Sequence, residues 1–262
     1  MKIYKDDAFT KACADSVSYG FYGRTGGHSE GLFTSLNCGP ASGDNLDHVA
    51  ANRAKVAQHL GAQDGTISTL YQCHSGDCLS IDTHVPVGEE RPKADALVTD
   101  KPGLAIGVLT ADCGPVLFAA KKQNGEPVIG AAHAGWGGAL KGVLDDTVAK
   151  MVRIGAVPET IKACLGPCIL LASYEVSNDF SKPFITQHDE AEHFFKAAPK
   201  EGHLMFDLAG YIAMRLARAG VQQVSLMDVD TYREEADCFS FRRATHRGEP
   251  QYGRQISAIM IR

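Results

Sequence analysis

Three stretches of the chain repeat apolar residues at the spacing of an amphipathic helix. Residues 47–60 carry one such face, and Gly61 follows it as a stop signal. Residues 140–154 show the same spacing. A third helix is predicted after Asp207, whose side chain can cap it, and it ends before Gly220.

Short apolar runs between turn residues predict strands. They span residues 67–72, 96–99, 104–110, 115–120, 127–132, 160–165, 221–227 and 256–261. Residues 182–204 are polar and aromatic, and they predict a short helix within a long surface excursion. Neighbouring strands often have short connections, so strict alternation of strand and helix is absent. We therefore expect one α+β domain over residues 1–262, with mixed sheets covered by helices.

The most distinctive motif ends one of these strands. His133 follows the apolar run 127–132 and begins the sequence His-Ala-Gly-Trp-Gly-Gly, which contains Trp136, the only tryptophan. A histidine at the end of a buried strand can hold a metal or a substrate, because the glycines beside it allow close approach to the backbone. The alternative is a core histidine that caps the strand.

A second unusual segment lies just upstream. Residues 110–115 read Thr-Ala-Asp-Cys-Gly-Pro and interrupt a long apolar stretch. A Gly-Pro pair cannot continue a central strand, so one strand ends near Leu109 and another begins near Val116. Asp112 and Cys113 are thereby predicted at a strand end, although a lone cysteine in an apolar run is more often inert core.

A third candidate, His74, is predicted at the end of the strand that begins at residue 67. Together with Cys113 and His133 it matches the ligand set of an open catalytic zinc site, which uses three protein ligands and leaves one position for water or substrate. The long spacing follows no compact zinc-finger pattern, so spacing alone does not identify the metal.

A rival interpretation places a closed structural zinc elsewhere. Its ligands would be Cys73, Cys78, Cys164 and Cys168. The spacings of these pairs are loose, and Cys73 is expected to point away from its strand neighbour His74. The remaining cysteines are predicted to be ordinary thiols.

Composition predicts a soluble intracellular enzyme. The chain has 262 residues, 44% of them hydrophobic, and a formal net charge of −5, which argues against general nucleic-acid binding. Residues 1–9 lack the apolar core of a secretory signal, and no run approaches the roughly 18 apolar residues of a membrane span. The 8 cysteines are then expected to be reduced thiols. Nothing in the sequence demands an oligomer, and we expect a monomer or weak oligomer.

Two further segments are candidates for anion binding. Residues 20–31 place Arg24 and Ser29 among glycines, where a guanidinium and accessible backbone amides can cradle phosphate or carboxylate. Near the C-terminus, three arginines, Arg242, Arg243 and Arg254, lie close to aromatic residues in the sequence and can bind an anion beside a stacking surface. A solvated loop and an edge strand are the alternatives.

Many motifs in one order make a specific resemblance. The chain resembles the YfiH-like family, also called the multicopper polyphenol oxidase or laccase-domain family and the purine nucleoside phosphorylase family. The matching segments are residues 24–29, 35–37, 52–53, 72–74, 94–99, 110–115, 133–138, 166–169, 174–176, 206–208, 239–243 and 253–255. They extend over nearly the whole chain.

The resemblance implies that His74, Cys113 and His133 bind zinc. It also implies two packed mixed sheets flanked by helices, in four layers α/β/β/α. The chain departs from the family pattern at Gly137, where arginine is usual, and at His28, where a small apolar residue is common. If that arginine helps to hold an anion, Arg24 or the C-terminal arginines must replace it.

The activities that the resemblance implies are phosphorolysis of adenosine, inosine and methylthioadenosine, and deamination of adenosine. Zinc can activate a water for deamination, with Asp112 as a candidate proton carrier. Alternatively, the metal and Arg24 can hold phosphate for attack at the ribose. Trp136 and the neighbouring glycines are expected to form a wall of the substrate pocket. The leading hypothesis is a zinc-dependent purine nucleoside phosphorylase and adenosine deaminase.

Other functions remain open at this stage. The resemblance also suggests an amidase that removes a wrongly added serine from a muramyl precursor. Cys113 with a histidine could be the nucleophile of a metal-free hydrolase, and zinc could merely stabilise the fold. Copper oxidation of polyphenols is disfavoured, because the 10 histidines form no His-x-His pair. Only adventitious Cu²⁺ binding is expected.

Overall fold

The computed structural model describes residues 1–13, 16–88 and 90–262. Its α-helices are α1 (Asp7–Cys13), α2 (Leu46–Leu60), α3 (Trp136–Lys141), α4 (Val143–Arg153), α5 (Lys182–Gln187), α6 (Leu208–Arg218) and α7 (Phe241–His246). Its strands are β1 (Ile3–Tyr4), β2 (Val17–Tyr22), β3 (Cys78–Ser80), β4 (Ala96–Thr99), β5 (Ile106–Thr110), β6 (Gly114–Lys121), β7 (Pro127–Ala134), β8 (Lys162–Leu165), β9 (Glu175–Ser177), β10 (Phe195–Ala197), β11 (His203–Phe206), β12 (Gln223–Leu226) and β13 (Gln255–Ile261).

Two large sheets pack face to face. The 6-stranded sheet has the order β12-β8-β6-β7-β4-β3 and is mixed, with parallel pairs at both edges. The 4-stranded sheet, β1-β2-β13-β5, pairs its strands antiparallel. Alternate side chains of the two sheets, such as Leu117, Ile129 and Ile259, share one buried cluster.

Helices cover the outer faces of both sheets. The opposite side chains of the 6-stranded sheet pack with residues of α4 and α6, including Leu144 and Ile212. The outer face of the 4-stranded sheet packs with α2 through Val56 and Leu60. This is the predicted α+β arrangement in four layers. Within the described residues, no helix is long and apolar enough to cross a membrane.

Several predicted elements differ in detail. The strand predicted at 67–72 is extended but forms only single bridges, Ser68 with Ile106 and Tyr71 with Lys93. Its two ends therefore pair with different neighbours, which leaves no continuous ladder. The helix predicted at 140–154 is two helices, because Gly142 adopts φ 96° between α3 and α4.

The predicted surface excursion is instead partly core. Its short helix is α5, as expected, but Phe184 on that helix is fully buried. Phe195 stacks on Phe206 with ring centroids 4.7 Å apart, and β10, β11 and β9 form a third sheet. The aromatic residues of this segment pack against the helices instead of facing solvent. β2 was also missed, because Gly20 made its sequence resemble a loop.

Candidate metal centre

The hairpin of β6 and β7 brings Cys113 and His133 together. Its register pairs Pro115 with His133, so Cys113, just before β6, lies beside the end of β7. The turn from β5 into β6 passes through Asp112 at φ 91°, a left-handed conformation that residues other than glycine rarely adopt. The ligand-bearing turn is thus sharply bent, which is common at functional sites.

His74 lies on a second turn, and the buried Asp95 holds that turn in place. The backbone N–H groups of Cys73, His74 and Ser75 donate to the Asp95 carboxylate at 3.1, 3.0 and 2.6 Å. His74 itself has φ 57°. Lys141 at the end of α3 donates its Nζ to the His74 carbonyl oxygen at 2.8 Å.

The same carboxylate orients His133. Nδ1 of His133 lies 2.7 Å from Asp95 Oδ1, and both side chains are buried. Because Nδ1 is engaged, Nε2 is the nitrogen available to a ligand. A carboxylate on the far nitrogen of a ligating histidine is the usual support of a metal site, since it fixes the tautomer and the ring.

The donor atoms of His74, Cys113 and His133 all lie within 4.8 Å of one another. Cys113 Sγ is 3.9 Å from His74 Nε2. Ligands of a tetrahedral zinc ion, bound at about 2.0–2.3 Å, are roughly 3.3–3.6 Å apart, so small side-chain shifts suffice to close on the ion. Two nitrogens and one sulfur are donors that zinc and copper both accept.

Gly135 leaves the space that such an ion needs. A Cβ atom at this position would lie 2.8 Å from Cys113 Sγ and 2.9 Å from His74 Cδ2. Any larger residue would therefore push the donor side chains apart. At Gly137, in contrast, the nearest atoms to a Cβ would be 3.9 Å away.

Electrostatic interactions favour a thiolate at Cys113. Burial opposes the charged form, but His133 and His74 outweigh burial and lower the pKa of Cys113 to about 7. Burial also opposes protonation of His133, but Cys113 and Asp95 raise its pKa to about 9. The pKa of Asp95 is held well below its usual range, against burial, by His133 and the backbone N–H groups. The site thus holds a ready anionic ligand.

The Asp112 carboxylate is hydrogen-bonded to another segment of the chain. Its Oδ1 accepts a hydrogen bond from Thr231 at 2.7 Å, and its Oδ2 accepts one from the backbone N–H of Arg242 at 2.6 Å. Burial raises its pKa, although these hydrogen bonds favour the ionised form. Asp112 therefore ties the turn before Cys113 to the start of α7.

Two cavities meet at the donor atoms. The aromatic cavity, of about 370 Å³, is lined by Trp136, Tyr174 and Phe180 among others. The cationic cavity, of about 490 Å³, is lined by Arg91 and Arg254. They share four lining residues, which are His74, Ala111, Cys113 and Phe241. Ligand sites commonly have volumes of this order.

The predicted substrate residues divide into two groups. Trp136 and Arg242 line the aromatic cavity, and the Arg242 guanidinium lies 5.2 Å from the Tyr174 ring centroid. Trp136 is 41% exposed and stands 5.0 Å from Phe180. Both residues therefore lie near the ligand-bearing turns, and their role in substrate binding stays a prediction.

Arg24, Ser29 and Arg243 lie apart from both cavities. Arg24 donates to the carbonyl oxygens of Thr34 and Glu235, and Arg243 donates to those of Thr231, Tyr232 and Cys238. Ser29 is buried and accepts from Asn52. Both arginines donate to backbone carbonyls and Ser29 accepts from the Asn52 amide, so these side chains hold loops together.

The structural zinc site is absent from the described residues. His74, Cys113 and His133 are the only group of metal donors gathered there. Cys78 and Cys168 are buried on one face of the 6-stranded sheet, and Cys164 is buried on the other. All 8 cysteines are free.

Asp95 is the functional residue that sequence reasoning missed. It lies in a matching family segment, residues 94–99, but no role was assigned to it. The available signal was an aspartate directly before a short, wholly buried strand, where an unpaired carboxylate is costly.

Residues 18–262 match the family model described as multi-copper polyphenol oxidoreductase laccase. A purine nucleoside phosphorylase of Rickettsia prowazekii is 33% identical over 247 residues, which cover 94% of this chain and 97% of the relative. The purine nucleoside phosphorylase YfiH of Escherichia coli is 36% identical over 238 residues, covering 91% of each chain. The crystal structure of YlmD from Geobacillus stearothermophilus superposes with a TM-score of 0.83 at 25% identity, covering 99% of this chain and 98% of that one.

Proposed function

Because the chain belongs to this laccase-like YfiH family, in which similar proteins are named purine nucleoside phosphorylases, we propose that it is a zinc-dependent purine nucleoside phosphorylase with adenosine deaminase activity. The observation that carries the proposal is the convergence of His74, Cys113 and His133 between two cavities. Donor residues that line both cavities can present one metal centre to a ligand in each cavity.

The donor set suits a catalytic metal. Three protein ligands leave a position open, and a bound zinc ion there supplies a Lewis acid that lowers the pKa of water toward about 7. The protein contributes the orientation of the ligands. Asp95 fixes both the His133 ring and the turn that carries His74, while Gly135 keeps the space between them open.

The aromatic cavity is suited to a purine. Trp136, Tyr174 and Phe180 offer flat apolar surfaces, and Arg242 adds a cation against the Tyr174 ring. In phosphorolysis a phosphate oxygen forms a bond to C1′ of the ribose, and the bond from C1′ to N9 breaks. The electron pair goes to the purine, which takes up the proton that the attacking hydrogen phosphate loses. Stacking holds the base while it leaves.

For deamination we assign proton transfer to Asp112. It is buried, it lines the aromatic cavity, and burial raises its pKa. To deliver a proton, its carboxylate would have to release the hydrogen bond from Thr231 or from the Arg242 N–H. The Asp112→Asn variant should lose ammonia release from adenosine, while metal content and phosphorolysis fall far less, because its amide keeps one accepting oxygen for the turn. If instead metal content and both activities fall together, Asp112 only positions the turn.

A multicopper oxidase does not fit this chain. A trinuclear copper cluster and a separate copper centre draw on many histidines, whereas two histidines and one cysteine are gathered among the described residues. Metal analysis of purified protein is expected to give one metal ion per chain. Several coppers per chain in protein purified without added copper would contradict this assignment.

The direct test of the proposed function is product formation. Metal-loaded protein should convert inosine and phosphate to hypoxanthine and ribose 1-phosphate, and it should release ammonia from adenosine. The Cys113→Ala variant should do neither, because it lacks one of the three ligands. If metal-replete protein releases neither base nor ammonia from any purine nucleoside, the proposal is wrong.

A further inference from the structure

The cationic cavity carries a charge unlike that of the rest of the chain. The protein has a formal net charge of −5, yet the described residues that line this cavity include Arg91, Arg254 and two histidines and no carboxylate. The adjoining aromatic cavity contains Asp112 and Glu175. The two cavities are therefore electrostatically distinct, and only the cationic one favours an anion.

Neither arginine is neutralised by a described carboxylate. Arg91 donates Nε to the Gly88 carbonyl oxygen at 2.9 Å, and its other contacts are long, at 3.4 Å. Arg254 makes contacts of 3.3–3.4 Å to the Tyr252 hydroxyl and the Ala41 carbonyl oxygen. Arg91 is partly buried, and this burial lowers its pKa. An anion would compensate for the lost hydration.

A third feature of the same cavity is an unsatisfied hydroxyl. Thr110 lines the cavity at the end of β5 and is 1% exposed. Its Oγ1 is the one buried side-chain polar atom in the described part of the chain without a hydrogen-bond partner. Buried hydroxyls are almost always paired, so an orphan beside a cavity points to a ligand.

We propose that the cationic cavity binds inorganic phosphate, with Arg91 and Arg254 as its cationic contacts and the Thr110 hydroxyl as a further hydrogen-bond donor. This assignment rests on the proposed phosphorolysis and names the site of its second substrate. It assigns this role to Arg91 and Arg254 instead of Arg24 and Arg243, which line a different cavity that also contains Glu235 and Glu249.

The position of the cavity fits the chemistry. Displacement at C1′ requires the attacking oxygen and the leaving purine on opposite sides of that carbon. Phosphate in the cationic cavity and the purine in the aromatic cavity place the ribose beside the residues that line both cavities, His74, Ala111, Cys113 and Phe241. The oxygen then approaches from one cavity while the electron pair of the broken bond moves with the purine into the other.

The test compares Michaelis constants in metal-loaded protein. For Arg91→Met and Arg254→Met we expect KM for phosphate to rise roughly tenfold or more, since each loses a charge-assisted contact, with KM for inosine changed less than about threefold. The lysine variants should recover part of the loss. Arg247→Met is the control, because Arg247 is paired with Glu235 in a different cavity, and it should leave both constants unchanged.

The Thr110→Val variant distinguishes a phosphate-binding role of the Thr110 hydroxyl from a structural one. Removal of an unpaired buried hydroxyl should leave the melting temperature equal or higher, whereas KM for phosphate should rise severalfold. A lower melting temperature with unchanged KM would assign Thr110 a structural role and remove it from the site.

Calorimetric titration with inorganic phosphate distinguishes failure of this proposal from failure of the proposed function. Phosphate binding that depends on Arg91 and Arg254, in a protein that releases no base, would keep the anion site and overturn the phosphorylase. Active phosphorolysis with phosphate KM unchanged in both variants would overturn the anion site. The same would follow if Arg24→Met alone raised the phosphate KM.

Discussion

At the scale of single residues, the space at Gly135 decides whether the three donors can share an ion. Gly135→Ala is expected to weaken metal binding at least about tenfold, because its methyl group would lie 2.8 Å from Cys113 Sγ. The backbone there has φ −70°, which alanine adopts readily, so the effect is purely steric. Zinc titration against a competing chelator measures the change.

Gly137→Ala is the matched control. This position lies in the same segment, but its added Cβ would have no neighbour nearer than 3.9 Å. Alanine also favours the first turn of α3. Metal affinity and stability should therefore equal or exceed those of the wild type. Equal zinc affinity in both variants would show that the donors move freely and that Gly135 does not shape the site.

Asp95 is hydrogen-bonded to two of the three ligand residues, His74 and His133, so its substitution should disturb the position of both. Asp95→Asn is expected to lower metal affinity roughly 10- to 100-fold, the usual effect of removing a carboxylate behind a ligating histidine. Both carboxylate oxygens of Asp95 accept hydrogen bonds, from the His133 ring and from the three N–H groups of the His74 turn. An asparagine amide has one accepting oxygen, and its NH₂ group cannot accept a hydrogen bond. Wild-type affinity in this variant would contradict the role given to Asp95.

The residue scale also shows what sequence can and cannot predict. His74, Cys113 and His133 could be selected because each was expected beside a strand end and had a metal-binding side chain. Asp95 could not be selected, because its partners come from segments about 20 and 38 residues away. Its role exists only once β4 and β7 pair.

At the scale of elements, hydrogen bonds from Arg215 of α6 hold the end of α3 in place. Arg215 is buried, and its guanidinium donates to the carbonyl oxygens of Ala139 and Leu140 and to Asp145. Arg215→Met should destabilise the fold by about 2–4 kcal/mol, because these buried acceptors lose their donor. It should also raise KM for nucleoside, since α3 begins at Trp136.

Urea unfolding followed by far-UV circular dichroism measures the stability, and fluorescence of Trp136 reports on α3 itself. Arg218→Met, on the same helix, is the control, because Arg218 and its partner Glu190 are both about half exposed. It should change stability far less. If Arg215→Met unfolds like the control, the tether does not stabilise α3.

The hydrophobic and polar pattern predicted a helix or strand best where the whole element packs against the same neighbours. The strand at 96–99 and the helix capped by Asp207 were confirmed because burial or capping there is local. The segment 67–72 was wrongly predicted as a strand, because its two ends pair with different partners. The break between α3 and α4 at Gly142 was not predicted, because the apolar spacing is helical on both sides of it. Hydrophobic periodicity carries no information about a left-handed backbone conformation at one residue.

At the scale of the whole molecule, the metal site and the core are separate. The three donors lie on turns and at one strand end, whereas the buried clusters fill the spaces between sheets and helices. None of the donors belongs to those clusters. The fold therefore has its own source of stability, and the ion adds only the free energy of binding to the folded state.

Chelation should consequently abolish activity without unfolding the protein. The far-UV spectrum should persist, while the melting temperature falls because binding at a hundredfold excess over Kd is worth about 2.7 kcal/mol. Cys113 should become open to alkylation, since its pKa of about 7 keeps much of it as thiolate once the ion is gone. Restored zinc should restore phosphorolysis and protect the thiol. Unfolding on chelation would instead show a structural ion. Hydrolysis without phosphate that survives chelation would indicate a metal-free Cys-His hydrolase.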